Sequence, residues 1–298
     1  MNLVIVGGTV VDIIFPQVGH LPQWPRHTEF TATNLVLLEN PPLVTLGGNG
    51  ANAAYVAARC GARVTLHTRI GGDALGGLAE GWLASAGCEV KSTRRSGATA
   101  VNVTAANARH ERATFFHAGA APLLPSLPRP PGALLVCGWP HPPLGKLAAC
   151  FRRLHRQGTL TALDVGPLLN YTWTLSDLRS VFAGLGLLLA NAHEICRLTP
   201  AAGVADAIPK LRSYYAGHIV VKCGAEGAWW VPAGEVRPRH FPAKFVRAIN
   251  TVGAGDTFNG GLLAALVRGH NYPAALRRAA AVAASVVASK CGVLGVRP

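Results

Sequence analysis

The hydrophobic positions of this chain cluster in short stretches, Leu3–Val6, Val64–Ile70, Leu134–Cys137, Thr161–Val165 and Leu185–Leu189, of which the second and fourth interleave polar residues. The first four stop at a glycine, and the fifth leads into Asn191. Apolar runs of this length read as buried strands. Between them lie Ala-rich helical stretches. One opens at Gly47–Ala54 and runs through Cys60 to a stop at Gly61; Asp73 caps a second that runs through Leu83. Near the C-terminus, Leu262–Val267 continues a helix to Gly269, and Leu276–Ser289 forms another ending near Gly292. Ile219–Lys222, Gly224–Gly227 and Ala228–Trp230 read as strand, tight turn and strand. Two regions break the alternation. Residues 16 to 46 are rich in proline, with β-like composition at Thr28–Leu38 and Leu43–Leu46. Residues 97 to 118 contain Thr99–Thr104 and Ala113–Phe116. These segments predict a small antiparallel sheet outside the main one.

Composition narrows the class. The 298 residues, half of them hydrophobic, allow one large α/β domain with an appendage. No apolar run reaches the ~18 residues that a bilayer span requires. Met1–Val6 enters a first strand without a basic leader, so a cytoplasmic location is expected. The seven cysteines include no C-x-x-C pair, which argues against a disulfide framework or zinc site and leaves them as mostly small buried apolar residues. The net charge of +14 admits nucleic acid or anionic ligands. The basic residues form only small groups, Arg94–Arg95, Arg152–Arg153 with Arg156, and Arg277–Arg278, without interleaved aromatics. A solvated basic surface is the expected reading, without a nucleic-acid partner.

Chemistry concentrates in Asn250-Thr251-Val252-Gly253-Ala254-Gly255-Asp256-Thr257. A glycine turn opening into a helix aims N–H groups and a partial positive charge at one point, which makes an anion site. Asp256 there is either a helix N-cap or a base that takes a proton from an attacking hydroxyl as phosphate arrives. Asp12, among the β-branched residues of Val10–Ile14, either faces outward or accepts hydrogen bonds from substrate hydroxyls. Asn49 and Asn52 both donate and accept, as sugar hydroxyls require. Asn191 and Glu194 stand three apart after a strand. They suit a hydrated magnesium or, equally well, an N-cap with a first-turn acid. Lys222 adds charge beside Gly224 and Gly227 or is solvated. His141, in the rigid loop Trp139–Pro143, reads as a surface residue. Asp164 ends a strand in an Asp-x-Gly turn.

Four ordered stretches, residues 47–54, 191–194, 224–227 and 250–257, resemble the ribokinase-like (PfkB) family of sugar and nucleoside kinases. The likeness covers essentially the whole chain. It implies one domain over 1–298, a doubly wound α/β sheet sandwiched by helices, with a small antiparallel β lid from about 13–46 and 97–118. It also implies transfer of the ATP γ-phosphate to a hydroxyl, Asp256 acting as base and Gly253, Ala254 and Gly255 forming the anion hole. By the same likeness Asp12, Gly48, Asn49 and Asn52 would contact the sugar or nucleoside. Asn191, Lys222, Gly224, Gly227 and Thr251 would border ATP, Glu194 would hold Mg²⁺ through water, and the lid would serve as a homodimer surface. Two departures stand out. Asn250 replaces the Asp that helps form a monovalent-cation site in potassium-activated members, and Asn49 replaces a Lys common in ribokinases. A catalytically retired relative with a binding or regulatory role is the alternative; the retention of Asp256 and of the Asn191/Glu194 pair argues against it.

Overall fold

The structure, a computed structural model, describes residues 1–16, 18–19, 35–92, 97–107, 112–119, 123–127, 129–137, 143–166 and 173–298. The expected strand over Thr28–Leu38 lies mostly outside the described residues, and so does the loop with His141.

The buried runs become a nine-stranded sheet. Its strands are β1 (Asn2–Val6), β4 (Arg63–Thr68), β5 (Glu89–Ser92), β8 (Ala133–Val136), β9 (Leu160–Asp164), β10 (Leu187–Asn191), β11 (His218–Lys222), β12 (Ala228–Val231) and β13 (Arg239–Phe241). Across the sheet they stand in the order β13-β12-β11-β10-β9-β8-β1-β4-β5. Pairing is parallel from β5 to β11, and the β11–β12 and β12–β13 pairs are antiparallel. Successive side chains of a strand point to opposite faces. Leu3 and Ile5 of β1 accordingly enter one core, and Val4 and Val6 the other.

Helices cover both faces. The first core is closed by α1 (Asn49–Arg59), α2 (Ala74–Ser85), α7 (Ala254–Val267) and α8 (Tyr272–Val287). The second is closed by α3 (Leu144–Arg156), α4 (Leu175–Phe182), α5 (Ala192–Leu198) and α6 (Val204–Arg212). Asp73 caps α2 as expected: its Oδ1 accepts from the Gly76 N–H at 2.8 Å. The chain leaves β1 for β4 and β5 and returns to β8 on the opposite side. The C-terminal edge beside β1 is therefore a switch point, where sheets of this type place ligands.

A second, four-stranded sheet has the order β3-β2-β6-β7, formed by β3 (Leu43–Gly47), β2 (Val10–Phe15), β6 (Ala100–Ala106) and β7 (Arg112–His117). Its outer pairs are antiparallel and its central β2–β6 pair is parallel. It begins at Val10, before the expected boundary of about 13, which puts Asp12 inside the sheet. The cysteines also differ from expectation. All seven are free, but only Cys88, Cys137 and Cys150 are buried. Cys60, Cys196 and Cys223 are half-buried and Cys291 is exposed.

Candidate active site

Residues 250–256 form the expected turn. The Asn250 side chain closes it by accepting the Val252 N–H at 2.9 Å. Gly253 then takes φ 76°, a left-handed conformation that disfavours any side chain, and starts α7 without a side-chain cap. The Ala254 N–H donates to the Thr251 carbonyl at 3.3 Å, so it is drawn back into the turn instead of facing a ligand. The N–H groups of Gly255 and Asp256 lie in the first helical turn, where a helix offers them no acceptor. Thr251 itself is exposed. Gly255 opens toward Lys222, whose Nζ would stand 3.6 Å from a Cβ placed there.

Asp256 sits in that first turn with its carboxyl crowded by protein atoms. Its Oδ2 accepts from Asn52 Nδ2 at 3.0 Å, a bond that ties α1 to α7. Burial, and then the negative charge of Asp164, push its pKa up to about 6; Asn52 and Lys222 oppose the rise. Asp256 is not the helix N-cap; that position belongs to Gly253.

Lys222 is buried, not solvated. It ends β11, its side chain is 12% exposed, and its ammonium lies 3.4 Å from Asp164 Oδ1, at the end of β9. It also donates to Asn259 Oδ1, one turn beyond Asp256, at 3.1 Å. Burial alone would lower its pKa, but Asp164, Glu194 and Asp256 outweigh that and hold it raised. Asn191 and Glu194 form a reciprocal capping box on α5: Asn191 Oδ1 accepts from the Glu194 N–H and Glu194 Oε2 from the Asn191 N–H, each at 2.7 Å. Glu194 is buried, and burial together with Asp164 pushes its pKa up to about 7. Among the described residues, no group of three His, Cys, Asp or Glu side chains is placed to hold a metal unaided.

Asp12 is 4% exposed and faces the lid strand β6, where Asn102 Nδ2 donates to its Oδ1 at 3.1 Å. Burial raises its pKa against that hydrogen bond. Its charge in turn raises the pKa of Asp256, which places the two carboxylates in one field. Gly48 is the N-cap of α1 and Asn49 its first residue. Asn52, 3% exposed, spends its amide nitrogen on Asp256, and its Oδ1 is buried with no hydrogen-bond partner. Gly224 and Gly227 bracket the short turn between β11 and β12, directly after Lys222, and Gly224 borders open space.

The two ends of the expected site thus meet through Asn52 and Asp256. Sequence reasoning missed Asn102 and Asn259. Asn102 lies in a strand read only as lid, and its pairing with Asp12 follows from the β2–β6 register, which local pattern does not carry. Asn259 sits three residues after Asp256, a spacing that puts both on neighbouring helix positions and so was a usable signal.

Comparison with known proteins bears on the family and the fold. A nucleoside kinase of Methanothermobacter thermautotrophicus is 28% identical over 293 residues, 96% of this chain and 89% of its own length. An aminoimidazole riboside kinase of Salmonella typhimurium is 33% identical over 151 residues, covering 49% of this chain and 45% of that one. Among solved structures, Arabidopsis thaliana ribokinase complexed with ribose and ATP superposes with a TM-score of 0.81 at 23% identity, over 99% of this chain and 95% of that one. The family model described as pfkB family carbohydrate kinase matches residues 1–294, and the chain belongs to that family.

Proposed function

We propose that the protein transfers the γ-phosphoryl group of ATP to a hydroxyl of a sugar or nucleoside, with Asp256 as the general base. The observation that carries this reading is the position of Asp256. Its carboxyl has a pKa pushed up to about 6, at the uncapped N-terminus of α7, hydrogen-bonded to Asn52 and within the field of Asp12. A base of that strength is ionised at neutral pH and still takes a proton in the transition state.

The acceptor binds between Asp12, Asn102 and Asn52, with Gly48 and Asn49 at the start of α1. The orphaned Asn52 Oδ1 fits a hydroxyl donor from the acceptor, since a buried amide oxygen left unpaired costs free energy. The Gly255 and Asp256 N–H groups and the Lys222 ammonium seat the transferring phosphate and offset its charge. Gly224 and Gly227 leave room for the nucleotide beside them, and Asn191 and Thr251 border it. Magnesium, when bound with ATP, screens charge between the phosphates. Asp164 and Glu194 are the acids that fit its water shell; phosphate and water must supply the remaining ligands. A nucleoside acceptor is supported by the nucleoside kinase likeness over nearly the whole chain and by Asn49, where ribokinases commonly carry Lys.

The protein is further read as one cytoplasmic domain that pairs into a homodimer through the lid. Phe115 and Phe116 of edge strand β7 are 69% and 55% exposed, which supports a covered lid face. Among the described residues, no helix is long and apolar enough to cross a membrane.

Phosphoryl transfer from ATP to a panel of nucleosides and sugars tests the reaction. Asp256→Asn is expected to keep ATP binding and to lower kcat about 10²-fold or more on the best acceptor. Near-native turnover in that variant would remove Asp256 from the chemistry.

A further inference from the structure

The two helices that begin at the candidate active site end together at a second feature. α1 ends at Arg59 and Cys60, and α7 runs into Arg268. Between these ends and α8 lies a cavity of about 210 Å³, lined by Cys60, Ala265, Arg268, His270, Arg278 and Val282, with Pro298 at its border. By the 1.5 Å rise per residue, its lining on α7, from Gly261 to Arg268, stands roughly 8 to 18 Å along the helix from Asp256, and none of the candidate site residues lines it.

The charge of its side chains is one-sided, and Arg268 and Arg278 are both exposed. No Asp or Glu side chain is among the lining residues. The Cys60 thiol feels the imbalance: burial raises its pKa, while Arg268, Arg278 and Arg59 pull it back down. Arg268 spends one arm on the Cys60 carbonyl, at 2.7 Å. A guanidinium carries five N–H donors in a planar fork, so donors remain for a ligand. Like charges gathered around a partly enclosed space repel, and an anion there relieves the repulsion. Ala265 and Val282 offer only a small apolar floor. The volume lies below the ~300 Å³ at which pockets for larger organic ligands begin, which excludes a whole nucleotide.

We propose that this cavity is a second anion site, which takes a compact phosphate dianion, either inorganic phosphate or a small phosphate ester. Arginine forks pair with such groups bidentately, and Arg268 and Arg278 come from different helices, so one ligand ties α7 to α8.

The test is calorimetric titration of the full chain with inorganic phosphate, and separately with glycerol 3-phosphate. A saturating non-hydrolysable ATP analogue is kept present to cover the proposed reaction site. One phosphate is expected to bind per chain under that condition. Arg278→Gln should weaken it at least tenfold, Arg278→Lys should keep most of it, and both variants should keep wild-type turnover in phosphate-free buffer. Tighter binding of one probe identifies the source of the phosphate. Arg268→Gln, which also loses the bond to Cys60, serves as a second variant, with folding checked by its thermal midpoint. No phosphate uptake up to about 10 mM, or uptake unchanged in both charge-removing variants, overturns the proposal. Loss of duplex DNA binding in those variants without any phosphate uptake overturns it too, by making the patch a nucleic-acid contact. Each outcome is read while the ATP analogue stays bound, so failure here leaves the kinase reading untouched.

Discussion

Asp12 is a buried carboxylate and Asp256 a half-buried one, both with raised pKa values, but their partners separate their roles. Asp12 is satisfied by Asn102 of the lid, Asp256 by Asn52 of the helix layer. An ionised Asp12 only accepts hydrogen bonds, so it recognises hydroxyls. Asp12→Ala is expected to raise the KM for the acceptor far more than the KM for ATP. It should weaken acceptors with both vicinal hydroxyls more than their deoxy analogues. Steady-state kinetics on wild type and variant check this, and equal losses on both acceptor types would place Asp12 outside the acceptor site. Lys222 supplies the opposing charge. Its cation lowers the pKa of Asp256, so Lys222→Met should raise that pKa and move the acid limb of the kcat/KM profile to higher pH. An unmoved limb would mean that Lys222 does not govern the base.

At the scale of elements, the Asn191/Glu194 pair shows one motif serving two purposes. As a capping box it starts α5, and as a buried acid beside Asp164 it is suited to hydrated magnesium. Two substitutions separate these purposes. Glu194→Gln keeps an oxygen to accept the Asn191 N–H, so it should hold its thermal midpoint while needing more Mg²⁺ for half-maximal rate. Glu194→Ala loses the bond as well, at a cost of about 1 kcal/mol and a fall in midpoint of about 2 °C. Equal Mg²⁺ dependence in all three proteins would leave Glu194 a cap alone. The contrast also explains what the sequence made legible. β1, β8 and β10 are buried on both faces and read as continuous apolar runs, and the Gly253 turn carries its own dihedral signature. β5 and β13 are short, polar edge strands with no such run. α3, α4 and α6 lie in stretches where no element was assigned, although each buries an apolar stripe in the second core. The parallel β2–β6 pairing joins segments some ninety residues apart, and nothing local encodes it.

For the whole molecule, the site is a concentration of negative charge under one buried cation. Asp12, Asp256 and Glu194 all have raised pKa values, chiefly because burial penalises their charged forms. A carboxyl whose folded pKa lies above its unfolded value contributes stability that is fully present below the unfolded pKa and is lost as pH rises through the folded one. For Asp256 that window runs from 3.8 to about 6, and for Glu194 from 4.5 to about 7. Above it the ligand-free fold carries the cost of ionised, crowded carboxylates, which is the usual conflict between function and stability at an active site. Asp256→Asn removes one of those charges and keeps an oxygen for the Asn52 amide. The variant should therefore melt higher than wild type at pH 8, and the gain should shrink as pH falls through about 6 and vanish only well below 3.8, where the wild-type carboxyl is protonated in both states. Thermal melts of the two ligand-free proteins from below pH 3.8 up to pH 8 measure this. A gain independent of pH would mean that packing rather than charge separates them, and a loss at pH 8 would mean that Lys222 already outweighs the burial of Asp256.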